Sequence, residues 1–328
     1  MTRPLALLST ENINLKFKLY EGVAHVLKDI SLEVYPHEHV AVVGESGCGK
    51  SVTLRVILGL LDRRRAQISG TVHFQGRALS DGDYRDLRGQ DITMIFQDPM
   101  ASLNPTFTIG DQLRSVLART GVKRRAEQDS RVQQALRSVS IADPERVMAA
   151  YPFQLSGGLN QRVLITMALL SRPKLVLADE PGTALDVTVQ KQTLALMEAL
   201  VREEGAAILL ITHNLGVVRK FAHRVYVMYA GMIVEEGTTD ELFNAPKHPY
   251  TQALLASVPR LSGDALPTGI DGTVPDYTNP PDGCRFHPRC PKARAACHQD
   301  VPKVQLSPTH QVNCVLYADS PRPEATHG

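Results

Sequence analysis

Residues 40–51 read VAVVGESGCGKS: four apolar residues, Val40–Val43, lead directly into Gly44–Ser51, a complete G-x4-G-K-S pattern. The apolar run suits a buried strand, and Ser51–Leu60 continues as a helical stretch. The pattern therefore lies between strand and helix, the context that separates a true phosphate loop from a chance match. Glycines at 44, 47 and 49 let the backbone of Glu45, Ser46, Cys48 and their neighbours turn N–H groups toward a β-phosphate. The helix start at Lys50–Val52 adds a dipole that favours negative charge. Lys50 is expected to reach the β and γ oxygens as a point charge, and the Ser51 hydroxyl to bind Mg2+. Cys48 need only be small here and is assigned no chemistry.

Outward from that loop, short apolar runs alternate with helical stretches. The strand candidates are Val40–Val43, Ile92–Phe96, Leu175–Ala178, Ala207–Ile211 and Val225–Tyr229. The helical candidates are Ser51–Leu60, Gly158–Leu170, Val187–Glu204 and Leu215–Ala222. This alternation predicts a largely parallel sheet covered by helices, an α/β fold. Between Gly110 and Ala150 the strands stop, and a charged helical insert is expected. After Ser257 the composition changes: residues 259–308 hold nine Pro and four Gly in 50 positions. A segment of that kind buries too little apolar surface to offset its chain entropy unless something staples it. We therefore expect a first domain over residues 1–258, with a helical part at about 100–172, and a second over 259–328.

Composition narrows the function classes. Length alone, 328 residues, suggests about two domains. Lys+Arg at 36 against Asp+Glu at 34 gives +2, without the single-sign excess of a protein held to nucleic acid or anionic lipid. Seventeen aromatics, none of them Trp, are too few for a base-stacking platform. Arg63–Arg65 and Lys123–Arg125 read as solvated faces rather than nucleic-acid patches. No apolar run nears the ~18 residues that a spanning helix needs; the longest is Val163–Leu170. The apolar stretch in MTRPLALLST is too short for a signal peptide, so an intracellular chain is expected.

Leu175–Glu180, LVLADE, is an apolar run ending in two carboxylates. Asp179 is placed to hold the Mg2+ shell, and Glu180 to serve as general base or water-orienting group for attack on a γ-phosphate. Alone, the same string would read equally well as a strand with an acidic surface turn. Leu155–Gln161, LSGGLNQ, opens a second helix with a Ser-Gly-Gly turn, another place where free N–H groups and a hydroxyl can meet an anion.

With these three motifs in this order the sequence resembles the ATP-binding cassette (ABC) ATPases, for which LSGG-x-x-Q is the signature. The resemblance covers about residues 5–258. It implies a P-loop NTPase core of ABC type with an antiparallel β part, a helical subdomain and ATP hydrolysis with Mg2+. In that family two cassettes pack head to tail, so Ser156, Gly157, Gly158 and Gln161 would cover the γ-phosphate held by a partner's loop. Gln97, in MIFQDP, matches the family's loop that senses Mg2+ and water and contacts the membrane subunits. His213, in LLITHN, matches the switch histidine; in isolation it would read as a strand-end residue. Asp186, in TALD, matches the loop crossing the dimer interface. Tyr20 stands where the family stacks an aromatic on adenine, with a core aromatic as the other reading.

The strings MIFQDPMASLNP, MALLSRPKLVLADEPGTALDVTVQ and HPYTQALL, with the tail GCRFHPRCPKARAAC, resemble the peptide and nickel importer branch and its dipeptide/oligopeptide "D-type" subunits. The resemblance implies several partners: a second ATPase subunit, distinct or identical, two transmembrane permease subunits, and an extracytoplasmic peptide-binding protein. It also implies peripheral placement on the cytoplasmic face of the inner membrane. Peptide is the expected cargo, and nickel or another small solute is the alternative. Rival readings are a soluble cassette ATPase of DNA repair or translation, and a regulatory subunit that binds ATP without turnover. Three positions depart from the family pattern. Asn160 stands where a basic residue is common, Gly182 where Thr is usual, and Asn214 where Asp is usual. None removes a phosphate, metal or base group, although a Gly at 182 is expected to loosen the turn carrying Glu180.

Cys284, Cys290, Cys297 and Cys314 are spaced C-x5-C-x6-C-x16-C. Four thiolates suffice for a tetrahedral zinc or a 4Fe–4S cluster, and free thiols are the third reading. His287 and His298 are spare candidate ligands. The resemblance favours 4Fe–4S, since some D-type subunits carry one in this extension.

Overall fold

In a computed structural model, residues 5–20, 22–183, 187–257 and 269–319 are described. The first half of the chain runs β1 (Leu8–Leu19), β2 (Gly22–Val34), β3 (His39–Val43), α1 (Lys50–Ile57), β4 (Ala66–Phe74), β5 (Arg77–Ala78), α2 (Tyr84–Leu87), β6 (Ile92–Ile95), α3 (Pro99–Ser102), α4 (Ile109–Arg119), α5 (Arg125–Ser138) and α6 (Pro144–Ala149). Next come α7 (Gly157–Leu169), β7 (Leu175–Asp179), α8 (Val187–Glu204), β8 (Ala207–Ile211), α9 (Leu215–Phe221), β9 (Arg224–Tyr229) and β10 (Met232–Thr238). The chain ends in α10 (Thr239–Asn244), α11 (Pro249–Ala256), β11 (Lys303–Gln305) and β12 (Gln311–Asn313). None of the described helices is long and apolar enough to cross a membrane. Two compact units divide the chain: Leu8–Glu33, His39–Ala78 and the chain from Ile211 onward form one, and Val34–Glu38 with Leu79–Leu210 and the residues up to Leu7 form the other.

The first of these units carries the phosphate loop. β3 is buried at all five positions and pairs parallel with β9, from Val40 opposite Arg224 to Val43 opposite Val227. A strand covered on both faces reads as a continuous apolar run, which is why Val40–Val43 and Val225–Tyr229 were legible. β9 pairs antiparallel with β10, β10 with β12, and β12 with β11. The antiparallel sheet β2-β1-β4-β5 belongs to the same unit. Its strands escaped the residue-by-residue reading because one face is wet, so charged residues interrupt the apolar pattern, as the part-exposed β1 shows. The β1–β4 register shifts between Glu11 and Asn14. Gly70 sits opposite, at φ 91, where a Cβ would press on the carbonyl oxygens of Glu11 and Asn12.

In the other unit β6 pairs parallel with β7, which is buried along its whole length. Between residues 109 and 149 the chain is helical. α4 is capped by the Thr108 hydroxyl, which accepts from Asp111 N at 3.2 Å. Arg114 ties α4 to α5 by donating to Asp111 at 2.7 Å and Asp129 at 2.8 Å. Leu113, Leu117, Val132, Leu136 and Val147 are buried beneath these helices.

Candidate functional site

The phosphate loop is held by positive-φ glycines: Gly44 at φ 154, Gly47 at φ 79 and Gly49 at φ 105. At Gly44 a Cβ would land on the Met228 carbonyl oxygen, so only glycine lets the loop leave β3 this close to β9. Gly49 precedes α1 as its left-handed N-cap, with no side chain covering the helix's first N–H groups. Lys50 is 4% exposed, and its Nζ donates to the carbonyls of Gly44 at 2.9 Å and Glu45 at 3.0 Å. The Cys48 thiol is fully buried 3.8 Å from that ammonium, and burial pushes its pKa up, so it stays a neutral spacer. The Cys48 carbonyl accepts from Gly231 N at 2.8 Å, which fixes the middle of the loop to the β9–β10 turn. Glu45 N donates to the Tyr250 hydroxyl at 2.9 Å. Ser46 and Gly47 are exposed, and Ser51 and Val52 are half-buried.

In the same unit, Thr212 N donates to the Val42 carbonyl at 3.4 Å, which sets exposed His213 near the carboxyl end of β3. Asn214 caps α9: its Oδ1 accepts from Val217 N at 3.2 Å. Asn serves this cap as well as the family's usual Asp, so this departure costs the local structure little. Tyr20 follows β1 with its ring fully exposed, which excludes the core reading.

The other unit carries the remaining motif residues. Asp179 ends β7 at 4% exposure, and Glu180 follows at φ 45, half-buried. Thr183 closes that turn, its hydroxyl donating to the Glu180 carbonyl at 2.8 Å. Gly182 stands at φ 86, a region glycine enters without strain, so here the glycine fits the turn rather than loosening it. Gln97 is exposed after β6, and Asp98 caps α3 by accepting from Met100 N at 2.8 Å. Exposed Ser156 is the N-cap of α7, its hydroxyl accepting from Leu159 N at 3.4 Å, with Gly157 exposed beside it and Gly158 half-buried. Gln161 is fully buried, with neither side-chain polar atom partnered. Asn160 is also buried and donates to the Pro152 carbonyl at 3.0 Å, so it packs where the family commonly has a basic residue. Asp186 lies outside the described residues.

Sequence reasoning missed Tyr250, Tyr277 and Arg289, which meet the phosphate loop. Tyr277 donates to the Gly47 carbonyl at 2.7 Å, and Arg289 pairs with Glu45 at 2.7 Å. No local motif marks Arg289, Tyr277 or Tyr250 in the sequence as a partner of that loop.

All four tail cysteines are free; Cys297 and Cys314 are buried, and Cys284 and Cys290 half-buried. Cys284 N donates to the Cys297 carbonyl at 2.9 Å. Burial first, and neighbouring thiols second, push Cys284 up to about 11. Despite this proximity, no group of three or more His, Cys, Asp or Glu among the described residues is disposed to hold a metal. The side chains as they stand thus do not form the ligand set expected for zinc or 4Fe–4S. The rings of His287 and His298 lie tilted against each other, centroids 4.1 Å apart.

Comparison with known proteins agrees with this geometry. The family described as "ABC transporter" matches residues 27–183, and that described as "Oligopeptide/dipeptide transporter, C-terminal region" matches residues 234–297. The dipeptide transport ATP-binding protein DppD of Bacillus subtilis (strain 168) is 46% identical over 315 residues, 94% of each chain. The oligopeptide transport ATP-binding protein OppD of the same organism is 43% identical over 332 residues, 99% of this chain and 93% of that one. Among solved structures, the ATP-binding cassette MJ0796, a dimer in a post-hydrolysis state bound to ADP and Pi, matches with a TM-score of 0.63 and 28% identity. That match covers 71% of this chain and 98% of the other.

Proposed function

The chain belongs to the ABC transporter ATPase family, and from that premise we propose that it is the ATP-hydrolysing subunit of an importer of di- and oligopeptides. One observation carries the reading: DppD and OppD match almost end to end, through both the cassette and the C-terminal region. Nickel import is the second reading of the same branch, and cargo selection lies in partner proteins. The test is ATP hydrolysis by the assembled transporter in proteoliposomes. Stimulation by peptide with its binding protein supports the proposal; stimulation by nickel alone, or copurification with ribosomes or DNA instead of membranes, overturns it.

In the proposed mechanism Lys50 and the loop N–H groups of residues 46, 47 and 49–51 bind the β- and γ-phosphates, and Tyr20 stacks on adenine. Glu180 takes the proton of the attacking water, and His213 holds the γ-phosphate. Ser51, Asp179 and Gln97 are the residues that the family motifs assign to Mg2+, and the ion would supply charge neutralisation at the phosphates. Ser156, Gly157 and Gly158 meet the nucleotide of a partner cassette, buried Gln161 supports that turn from behind, and Asp186 crosses the interface. The dimeric state of the MJ0796 cassette supports this arrangement. The partner we propose is a second, distinct ATPase subunit; an identical copy is the alternative.

Exposed Phe96, Met100, Phe107, Tyr151 and Phe153 support docking to two permease subunits, and hence peripheral placement on the cytoplasmic face of the inner membrane. We place the boundary between cassette and C-terminal extension near residue 258. For Cys284, Cys290, Cys297 and Cys314 we propose a 4Fe–4S cluster on the resemblance of this extension alone, with zinc or free thiols as the alternatives. A brown protein whose visible absorbance is lost in Cys290→Ser supports that assignment; a colourless anaerobic preparation with stoichiometric zinc overturns it.

A further inference from the structure

The C-terminal extension touches the phosphate loop through side chains that the ATPase reading leaves unused. Arg289 grips Glu45 with both prongs of its guanidinium, Nη1 to Oε2 at 2.7 Å and Nη2 to Oε1 at 3.1 Å. The Arg289 side chain is 6% exposed and that of Glu45 24%. The remaining donors of Arg289 are also occupied: Nε donates to the Asp271 carbonyl at 2.7 Å and Nη2 to the Ile270 carbonyl at 3.0 Å. Nη1 also reaches the Tyr229 hydroxyl at 3.3 Å. Twelve residues earlier, Tyr277 donates its hydroxyl proton to the Gly47 carbonyl at 2.7 Å. The segment carrying Arg289 is anchored by Phe286, whose ring meets those of Tyr229 and Tyr250 at centroid distances of 5.1 and 5.3 Å.

The charge arithmetic gives this contact its meaning. Glu45 is the second residue of a loop that must accept a polyanion, and an uncompensated carboxylate there would repel the incoming phosphates. Arg289 cancels that charge. Because its fork is filled by fixed acceptors, it stays on Glu45 and is not drawn toward the phosphate. Tyr277 holds the Gly47 carbonyl, which keeps that peptide oriented while its neighbours point N–H groups at the ligand.

We propose that Arg289, acting through Glu45, and Tyr277, acting through Gly47, are positioning residues for nucleotide in this chain's own phosphate loop. The C-terminal extension is then a working part of the ATP site rather than a separate appendage. The proposal rests on the reading that this loop binds ATP.

The test is equilibrium binding of Mg-ATP to the full chain. Arg289→Gln is expected to weaken binding about tenfold, a loss that shrinks as salt rises and screens the bare carboxylate. The double variant Glu45→Gln/Arg289→Gln should regain most of that loss because it carries no uncompensated charge, and Arg289→Lys should regain part. A purely structural role for Arg289 would show neither the salt dependence nor the rescue. Tyr277→Phe should weaken binding about threefold, as expected for one lost hydrogen bond, without lowering the unfolding temperature. The proposal is overturned if Arg289→Gln binds like the parent, or if the double variant is no better than Arg289→Gln. If Arg289→Gln does not fold, unchanged affinity in Tyr277→Phe overturns it. A parent chain that binds no Mg-ATP overturns the ATPase reading as well, whereas binding in the parent with no effect of these variants overturns only this proposal.

Discussion

Lys50 turns back on its own loop: its Nζ lies 2.9 Å from the Gly44 carbonyl oxygen, and the side chain is almost fully buried. A buried ammonium held by neutral carbonyls has lost water without gaining an opposite charge, so an arriving phosphate is its natural partner. Lys50→Ala should therefore lower Mg-ATP affinity at least tenfold, a loss of about 1.4 kcal/mol or more. Calorimetric titration of the full chain checks this, and affinity within twofold of the parent would refute it.

Glu180 sits in a left-handed turn just past the end of β7, next to buried Asp179. Replacing it by Gln keeps the shape and removes the base. ATP turnover by the assembled transporter should fall by roughly 10²–10⁴-fold while nucleotide affinity stays near that of the parent. Steady-state phosphate release and binding measured on the same preparation separate the two; unchanged turnover would favour the non-hydrolysing regulatory reading.

Gly231, at φ 79, has no room for a side chain: a Cβ would strike the Val26 carbonyl oxygen and crowd the Arg285 guanidinium at 3.0 Å. Gly231→Ala should cost about 2 kcal/mol or more, combining backbone strain with the clash. A denaturant midpoint equal to that of the parent would count against the close approach.

His248 is buried, caps α11 by accepting from Tyr250 N at 3.0 Å, and burial lowers its pKa to about 4. Nearby Glu235, which accepts from His248 N at 2.9 Å and from His310 at 2.8 Å, only partly offsets that effect. The folded state resists protonating this ring, so its contribution is complete above the ordinary histidine value of about 6.5. That contribution is lost as pH falls from there toward 4, on the order of 3 kcal/mol in full. Unfolding midpoints measured from pH 7.5 to 4 should decline, and His248→Asn, which keeps a capping oxygen, should flatten the slope; parallel slopes would refute the assignment.

What the sequence disclosed followed from the physics of each segment. Val40–Val43, Leu175–Ala178 and Ala207–Ile211 are buried on both faces, so their apolar runs stood out, and α8 emerged with the expected bounds. Lys50, Ser51, Asp179 and Ser156 could be singled out as candidates because phosphate and metal chemistry demands those residue types at fixed local spacing. β1 and β2 were hidden by their wet faces, and β11 and β12 by having only three residues each. Arg289 was out of reach for a different reason: its partner Glu45 lies 244 positions away, and no local pattern reports such a pairing.

The pairing of β12 along β10, Glu235 opposite Val312 and Glu236 opposite Gln311, has a practical corollary. Trimming the gene to a minimal cassette would strip that cover and leave a raw row of peptide N–H and C=O groups, an open template for other chains. The same cut would orphan the buried Glu235 carboxylate from His310. Shortened versions of this protein should therefore collect in inclusion bodies, and crystallisation or expression trials are better served by retaining the tail.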